Sequence, residues 1–399
     1  MNEKALIGKN LKEDRFSISQ LVFFGVLLLI VFTVLNTSKY GASLSWVIVP
    51  CAIILLGWAL TTKKEIFTVH YEIIFLFAFW FLFLFSTIFS NIVTLERDIV
   101  TFFIFCLVYV SATSYNYDKK QISIIILLHT LVALYAELNI LYNFATDNFY
   151  SEWFKRSSFS FLGVYKDPNY VMAFIAPAIA IQFIRLINAK NKWQRIFSLA
   201  FLIVSILAIF ATGSRTPMLV LAIFFIAYFI MPSGMGLTKR IAVLSVVGVI
   251  GVLAIYIVFN YYSEQAIDRL FNFSGDSRWD IWAQSLKVFE EYPIFGAGMS
   301  AASTVSQFTV GKDSHNVYID ILCNSGIFGL TIFLIFVYKS CLKTNKSNKV
   351  FVYSLFITFM IPLFFINGFN TATFYTPLIL MSIISKYCSK EESSYLDLL

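Results

Sequence analysis

Apolar runs of about 18 to 22 residues recur from one end of this chain to the other, the length needed to cross a hydrocarbon core of about 30 Å. Composition agrees. Of 399 residues 59% are hydrophobic, 44 are Phe and only 13% are charged, against about 25% charged in a soluble domain. The runs do not alternate polar and apolar residues, which excludes a β-barrel. The expected fold is all-α: a polytopic membrane protein forming a single integral membrane domain over 1–399. Spans are expected near 17–35, 42–60, 69–90, 98–113, 121–144, 168–187, 196–212, 217–231, 240–260, 316–338, 350–367 and 372–386, about twelve in all. The first run, from Ile18 to Leu35, is too long for a signal-peptide core and no small-residue cleavage site follows it, so it reads as a retained span.

Loop charges set the orientation. With twelve spans, 20 of the 30 Lys and Arg fall in loops or ends on one side, from Lys4 and Lys9 to Lys386 and Lys390. The positive-inside rule places that side, and both termini, in the cytoplasm. The formal charge of +7 is therefore a topology signal and does not call for nucleic acid. The five Cys are scattered without a Cys-x-x-Cys pair, so no disulfide framework, metal site or cofactor is expected. Two extracytoplasmic loops exceed the rest, 145–167 and 261–315, and long loops in a compact bundle are usually functional.

Polar clusters interrupt the hydrocarbon on the expected outer side. Thr212-Gly213-Ser214-Arg215-Thr216-Pro217 precedes span eight, with Thr216 suited to an N-cap and Pro217 to the first helical position. Arg215 would then sit at the membrane interface beside free helix N–H groups that attract anions, although an Arg there can also simply reach for lipid headgroups. Ser277-Arg278-Trp279-Asp280 has the Ser-x-x-Asp pattern of a capping box. It opens an amphipathic helix to about Glu291, whose stripe Trp279, Trp282, Leu286 and Phe289 suits the membrane interface. Pro293-Ile294-Phe295-Gly296-Ala297-Gly298 lacks both the third glycine and the preceding strand of a dinucleotide fingerprint, so its glycines read as turn residues.

Span ten opens with Asp313-Ser314-His315-Asn316. The dipole at a helix N-terminus favours neutral imidazole, which can accept a proton from a sugar hydroxyl. Asp167-Pro168-Asn169 caps span six in the same way. If the N-termini of spans six, eight and ten are neighbours, they and two Arg form one anion pocket. Within the membrane, His129 and Glu137 share roughly one face of span five, and Asp320 and Asn324 lie four apart on span ten. Each pair is either functional or packing glue.

Three stretches together resemble the O-antigen polymerase and O-antigen ligase superfamily of bacterial membrane glycan transferases. They are Asp167-Pro168-Asn169, Thr212-Gly213-Ser214-Arg215, and the segment from Arg278 to Gly329 with its Arg-x3-Trp, Tyr-Pro-x-x-Gly-x-Gly, His-Asn-x-Tyr and Gly-Ile-Phe-Gly elements. The resemblance implies a glycosyltransferase of the bacterial cytoplasmic membrane, metal-independent and inverting. Arg215 and Arg278 would bind the pyrophosphate of an undecaprenyl-linked oligosaccharide, and His315 would assist the acceptor hydroxyl. Asp167, Asn169, Ser214, Asn316, Tyr318, Gly296 and Gly298 are expected to contact substrate. Flippase and chain-length regulator proteins would be partners alongside membrane lipid. The 261–315 loop is short for the group, which favours a polymerase of capsule or O-antigen repeat units over a ligase handing finished glycan to another acceptor. A transporter of an anion or lipid-linked sugar is the reading from another class, kept open by His129 and Glu137.

Overall fold

The computed structural model describes residues 18–36, 44–61, 66–90, 96–152, 155–231, 278–301, 314–368 and 371–399, with scattered positions between 238 and 260. Twelve α-helices fall within the continuous stretches. They are α1 (Gln20–Leu35), α2 (Leu44–Leu60), α3 (Ile73–Ile88), α4 (Glu96–Ser114), α5 (Lys119–Ala145), α6 (Pro168–Asn188), α7 (Lys192–Ala211), α8 (Arg215–Ile230), α9 (Arg278–Glu291), α10 (Val317–Cys341), α11 (Lys349–Met360) and α12 (Ala372–Cys388). All but α9 coincide with expected spans. The ninth expected span, near 240–260, lies mostly outside the described residues, as do Ser277 and Asp313.

Five segments are long and apolar enough to cross a bilayer by length and composition: Lys119–Ala145, Pro168–Asn188, Lys192–Ala211, Val317–Cys341 and Lys346–Phe364. The apolar helices α1, α3 and α8 are shorter, at 16 residues each, or about 24 Å at 1.5 Å per residue. The helical part of the eleventh expected span stops at Met360, and Pro362, which lacks an N–H, opens a 3-10 turn to Phe364. The chain is not purely helical either. Ser160–Phe161 and Val164–Tyr165 pair as a small antiparallel hairpin in the 145–167 loop.

At the centre, α6 and α12 are buried almost all round, as helices surrounded by others must be. Pro177 and Pro377 lie inside them, which membrane helices tolerate where neighbours satisfy the freed carbonyls. A Thr33–Thr376 hydroxyl contact of 2.6 Å ties α1 to α12.

Loop contacts fall in two groups. At one end Lys343 pairs with Glu72 at 2.8 Å, Lys119 with Asp397 at 3.5 Å, and Lys386 Nζ donates to Asn116 Oδ1 at 3.2 Å. At the other end Tyr170 donates to Asn367 O at 2.9 Å and Ser300 donates to Asp98 Oδ2 at 2.6 Å.

The tenth expected span is not one continuous helix. It breaks at Gly326, where φ is 65° and ψ −170°. The segment after α9 enters the break and takes up the disrupted backbone bonds. Ala297 N–H and Gly298 N–H donate to Cys323 O (2.9 Å) and Asn324 O (3.0 Å), while Ile327 N–H donates to Pro293 O at 3.0 Å. A Cβ on Gly296 would lie 2.3 Å from the Asn324 carbonyl carbon, and one on Gly326 2.1 Å from Ile294 O. Both positions therefore require glycine. Hydroxyls of α3 and the residues after it hold the same loop: Ser86 donates to Phe295 O and Ser90 to Ala297 O, and Thr87 accepts from Met299 N–H at 2.8 Å.

Helix α9 packs on a face next to the expected stripe. Its buried positions are Ile281, Ser285 and Val288, and Val288 packs with Ala297, Ala301 and Cys323. Trp279 is 70% exposed and Trp282, Leu286 and Phe289 are half-buried; the inserted loop anchors α9 against α10 through its narrower buried face.

Candidate functional site

A cavity of about 120 Å³ is lined by Arg156, Asp167, Asn169, Gly213, Ser214, Arg215, Arg278 and His315. It collects the N-terminal ends of α6, α8 and α9 with the residue two before α10. The juxtaposition expected for spans six, eight and ten is thus found, with the loop helix added.

Each wall has a local cause. Asp167 is the N-cap of α6, with Pro168 at the first position and its carboxylate accepting from Asn169 N–H at 2.8 Å. Its second oxygen accepts from Tyr150 OH at 3.3 Å. The α7–α8 connection is short: Thr212 caps α7, Gly213 turns with φ 54°, and α8 begins at Arg215. Ser214, not Thr216, is the N-cap residue of α8, and Pro217 is its third residue. Pro is tolerated there because the first four helical N–H groups have no intrahelical acceptor. Ser214 Oγ donates instead to Asn169 Oδ1 at 3.2 Å, joining the starts of α6 and α8. Thr216, buried, accepts from Arg278 Nη1 at 3.4 Å, joining α8 to α9. The Arg278 guanidinium lies 5.5 Å from the centroid of the Phe365 ring, a cation–π contact.

Arg215 and Arg278 are the first residues of their helices, where the macrodipole disfavours a cation and favours an anion. An anion in the cavity reverses that penalty by meeting guanidinium and helix N–H groups together. Among the described lining residues, Asp167 is the one carboxylate beside three Arg and a His.

Arg156 was not singled out by sequence reasoning. It faces the cavity from the 145–167 loop, its Nε buried without a hydrogen-bond partner and its guanidinium 5.4 Å from the Tyr150 ring centroid. Its position is fixed by backbone exchange with Ser151 (3.0 and 3.3 Å) and by Ser157, whose N–H donates to Ala211 O at 3.2 Å and whose Oγ donates to Ile140 O at 2.8 Å. One signal was available: an Arg followed by two Ser in an expected outer loop, the side on which basic residues are fewer. The next residues carry another cation inward. Lys166 is buried, donates from Nζ to Thr33 O at 2.5 Å, and has its pKa pushed down to about 7 by loss of solvation.

Arg215, Arg278, His315, Asp167, Asn169 and Ser214 therefore meet, whereas four other expected contacts do not line the cavity. Asn316 caps α10, accepting from the N–H groups of Tyr318 (3.0 Å) and Ile319 (3.2 Å). Tyr318 donates to Met360 O at 2.8 Å and packs on Phe364 with ring centroids 4.3 Å apart. Gly296 and Gly298 serve the break in α10. Two polar groups expected inside the membrane each make one contact to a neighbouring helix. His129 Nε2 meets Phe174 O of α6 at 3.0 Å, and Glu137 accepts from Ser205 of α7 at 2.7 Å.

Comparison with known families adds one finding. Residues 200–334, from within α7 into the second half of α10, match a family model described as O-antigen ligase. The matched stretch includes Arg215, Arg278 and His315. No curated protein and no solved structure matches the chain.

Proposed function

We propose that this protein is a membrane glycosyltransferase that joins oligosaccharide repeat units, of capsule or O-antigen, carried on undecaprenyl pyrophosphate. The observation that carries the reading is the gathering of Arg156, Arg215, Arg278 and His315 around one cavity at helix N-termini. A pyrophosphate diester is anionic and gains charge as it leaves. Guanidinium groups answer that change with planar, bidentate donors and need no metal. The acceptor hydroxyl oxygen attacks the anomeric carbon from the face opposite the pyrophosphate. The anomeric C–O bond breaks with its electron pair going to the pyrophosphate, and His315 takes the hydroxyl proton. The configuration inverts. Asp167 accepts from sugar hydroxyls, and Asn169 contacts the sugar or the phosphate oxygens, at the mouth of α6. The cavity faces the extracytoplasmic side of the cytoplasmic membrane, where flippase and chain-length regulator proteins would work beside it.

A ligase uses the same site with a different acceptor, and the O-antigen ligase description of the matched family favours keeping that reading. The test is the purified full chain in liposomes with a synthetic lipid-pyrophosphate repeat unit. Polymerase activity extends the unit unaided. A ligase leaves it unextended and transfers only to an added acceptor. Wild-type protein that consumes no donor under either condition overturns the proposal.

A further inference from the structure

Beyond the cavity wall, the residues flanking His315 form a built support. His315 has φ 49°, the left-handed region, which costs a non-glycine residue about 1–2 kcal/mol and persists only where surroundings enforce it. The enforcement is visible on both sides. Ser314 is fully buried. Its carbonyl accepts from Trp282 Nε1 at 2.9 Å, its Oγ donates to Asp320 Oδ1, and the same Oγ accepts from Asn316 N–H at 3.3 Å. The serine hydroxyl thus spans the turn in which His315 sits. Asp320 is 3% exposed on the first turn of α10, and its own N–H donates to Asn316 O at 2.9 Å. A buried carboxylate in a membrane protein is costly to keep, and the positive end of a helix is where it costs least.

We propose that Asp320, acting through Ser314, is a positioning residue that holds His315 in its left-handed turn and so fixes the imidazole at the cavity. Asp320 touches no substrate; it acts on the proton-accepting residue by orienting the backbone beside it, as second-layer partners orient catalytic groups generally. The inference rests on the glycosyltransferase reading for its catalytic consequence, but the geometry it asserts does not.

Three variants, Ser314→Ala, Asp320→Ala and Asp320→Asn, test it in liposomes and by NMR with ring-labelled histidine. His70→Gln and His129→Gln variants assign the His315 signal among the three His. Ser314→Ala and Asp320→Ala are expected to lower kcat about ten- to a hundredfold with KM for the lipid-pyrophosphate donor unchanged, and to shift or broaden the His315 signal. Asp320→Asn keeps an acceptor for the Ser314 hydroxyl and is expected to restore the His315 signal and most of kcat. Alanine variants with wild-type kcat and an unmoved His315 signal overturn the proposal. So does an Asn variant as impaired as Ala in both readouts. If wild-type protein transfers nothing while the His315 signals behave as expected, the support stands and the glycosyltransferase reading falls.

Discussion

The two ends of the bundle hold their cations in opposite ways. At the end rich in Lys, cations have side-chain partners: Lys343 pairs with buried Glu72, Lys119 pairs with Asp397, and Lys386 donates to the neutral Asn116 amide. Among the described residues lining the cavity, three Arg and a His accompany one carboxylate, and that carboxylate is already engaged by Asn169 N–H and Tyr150 OH. Side-chain chemistry follows the split. Lys, a compact point charge, serves orientation and pairing; Arg, a rigid planar fork, gathers where an oxyanion with several oxygens would sit. A basic residue in a membrane protein is therefore informative when it lies on the side its neighbours avoid and at a helix start that repels it.

The contrast can be broken by mutation, and the cavity end should fail hardest. Arg215→Ala and Arg278→Ala are each expected to cut polymer formation by about a hundred- to a thousandfold, the scale of losing one oxyanion-stabilising group. Arg215→Lys should fall nearly as far because it lacks the fork. Elongation in liposomes, normalised to inserted protein, reads both; normal polymer from the Ala variants would remove the cavity's assigned role. Arg156→Ala should lose about tenfold, the worth of one charge-assisted hydrogen bond, seen as raised donor KM in the same assay. At the opposite end Lys343→Met should leave kcat alone and destabilise the fold by about 1–3 kcal/mol, below the full cost of orphaning a buried charge because Lys343 is partly exposed. Thermal unfolding in detergent checks this, and adding Glu72→Gln should recover most of the loss.

A pH-dependent effect concerns Lys166. Its folded pKa, about 7, lies below the 10.5 of an ordinary Lys, so between those values the unfolded chain binds a proton that the folded chain does not. Stability contributed by neutral Lys166 is thus lost as pH falls from about 10.5 to about 7, and changes no further below that. Lys166→Met should flatten the Tm–pH curve across that window, and an unchanged slope would show that the side chain is solvated.

The apolar helices were legible because a bilayer leaves the backbone few options and apolar length announces them. Asp167-Pro168 was legible because capping chemistry is local. The start of α8 was misplaced by two residues because Ser214 and Thr216 both suit a cap, and the choice is made by Asn169 on another helix. Arg156 escaped because the contacts that fix it, Ala211 O and Ile140 O, are distant in sequence. Gly296 and Gly298 were read as turn glycines, which holds. Asn324-Ser325-Gly326 is a local breaker signal inside the tenth span, but that the backbone of 293–298 fills the break could not be read, because the partners lie about thirty residues apart.

That interruption joins two functional ends mechanically. The strand of backbone threaded into α10 is continuous with α9, so Arg278 and His315 stand on opposite rims of one welded piece. A side chain forced onto Gly296 or Gly326, where a Cβ would lie 2.3 Å and 2.1 Å from the facing backbone, would therefore disturb the anchorage of α9 on α10 and with it the setting of both groups.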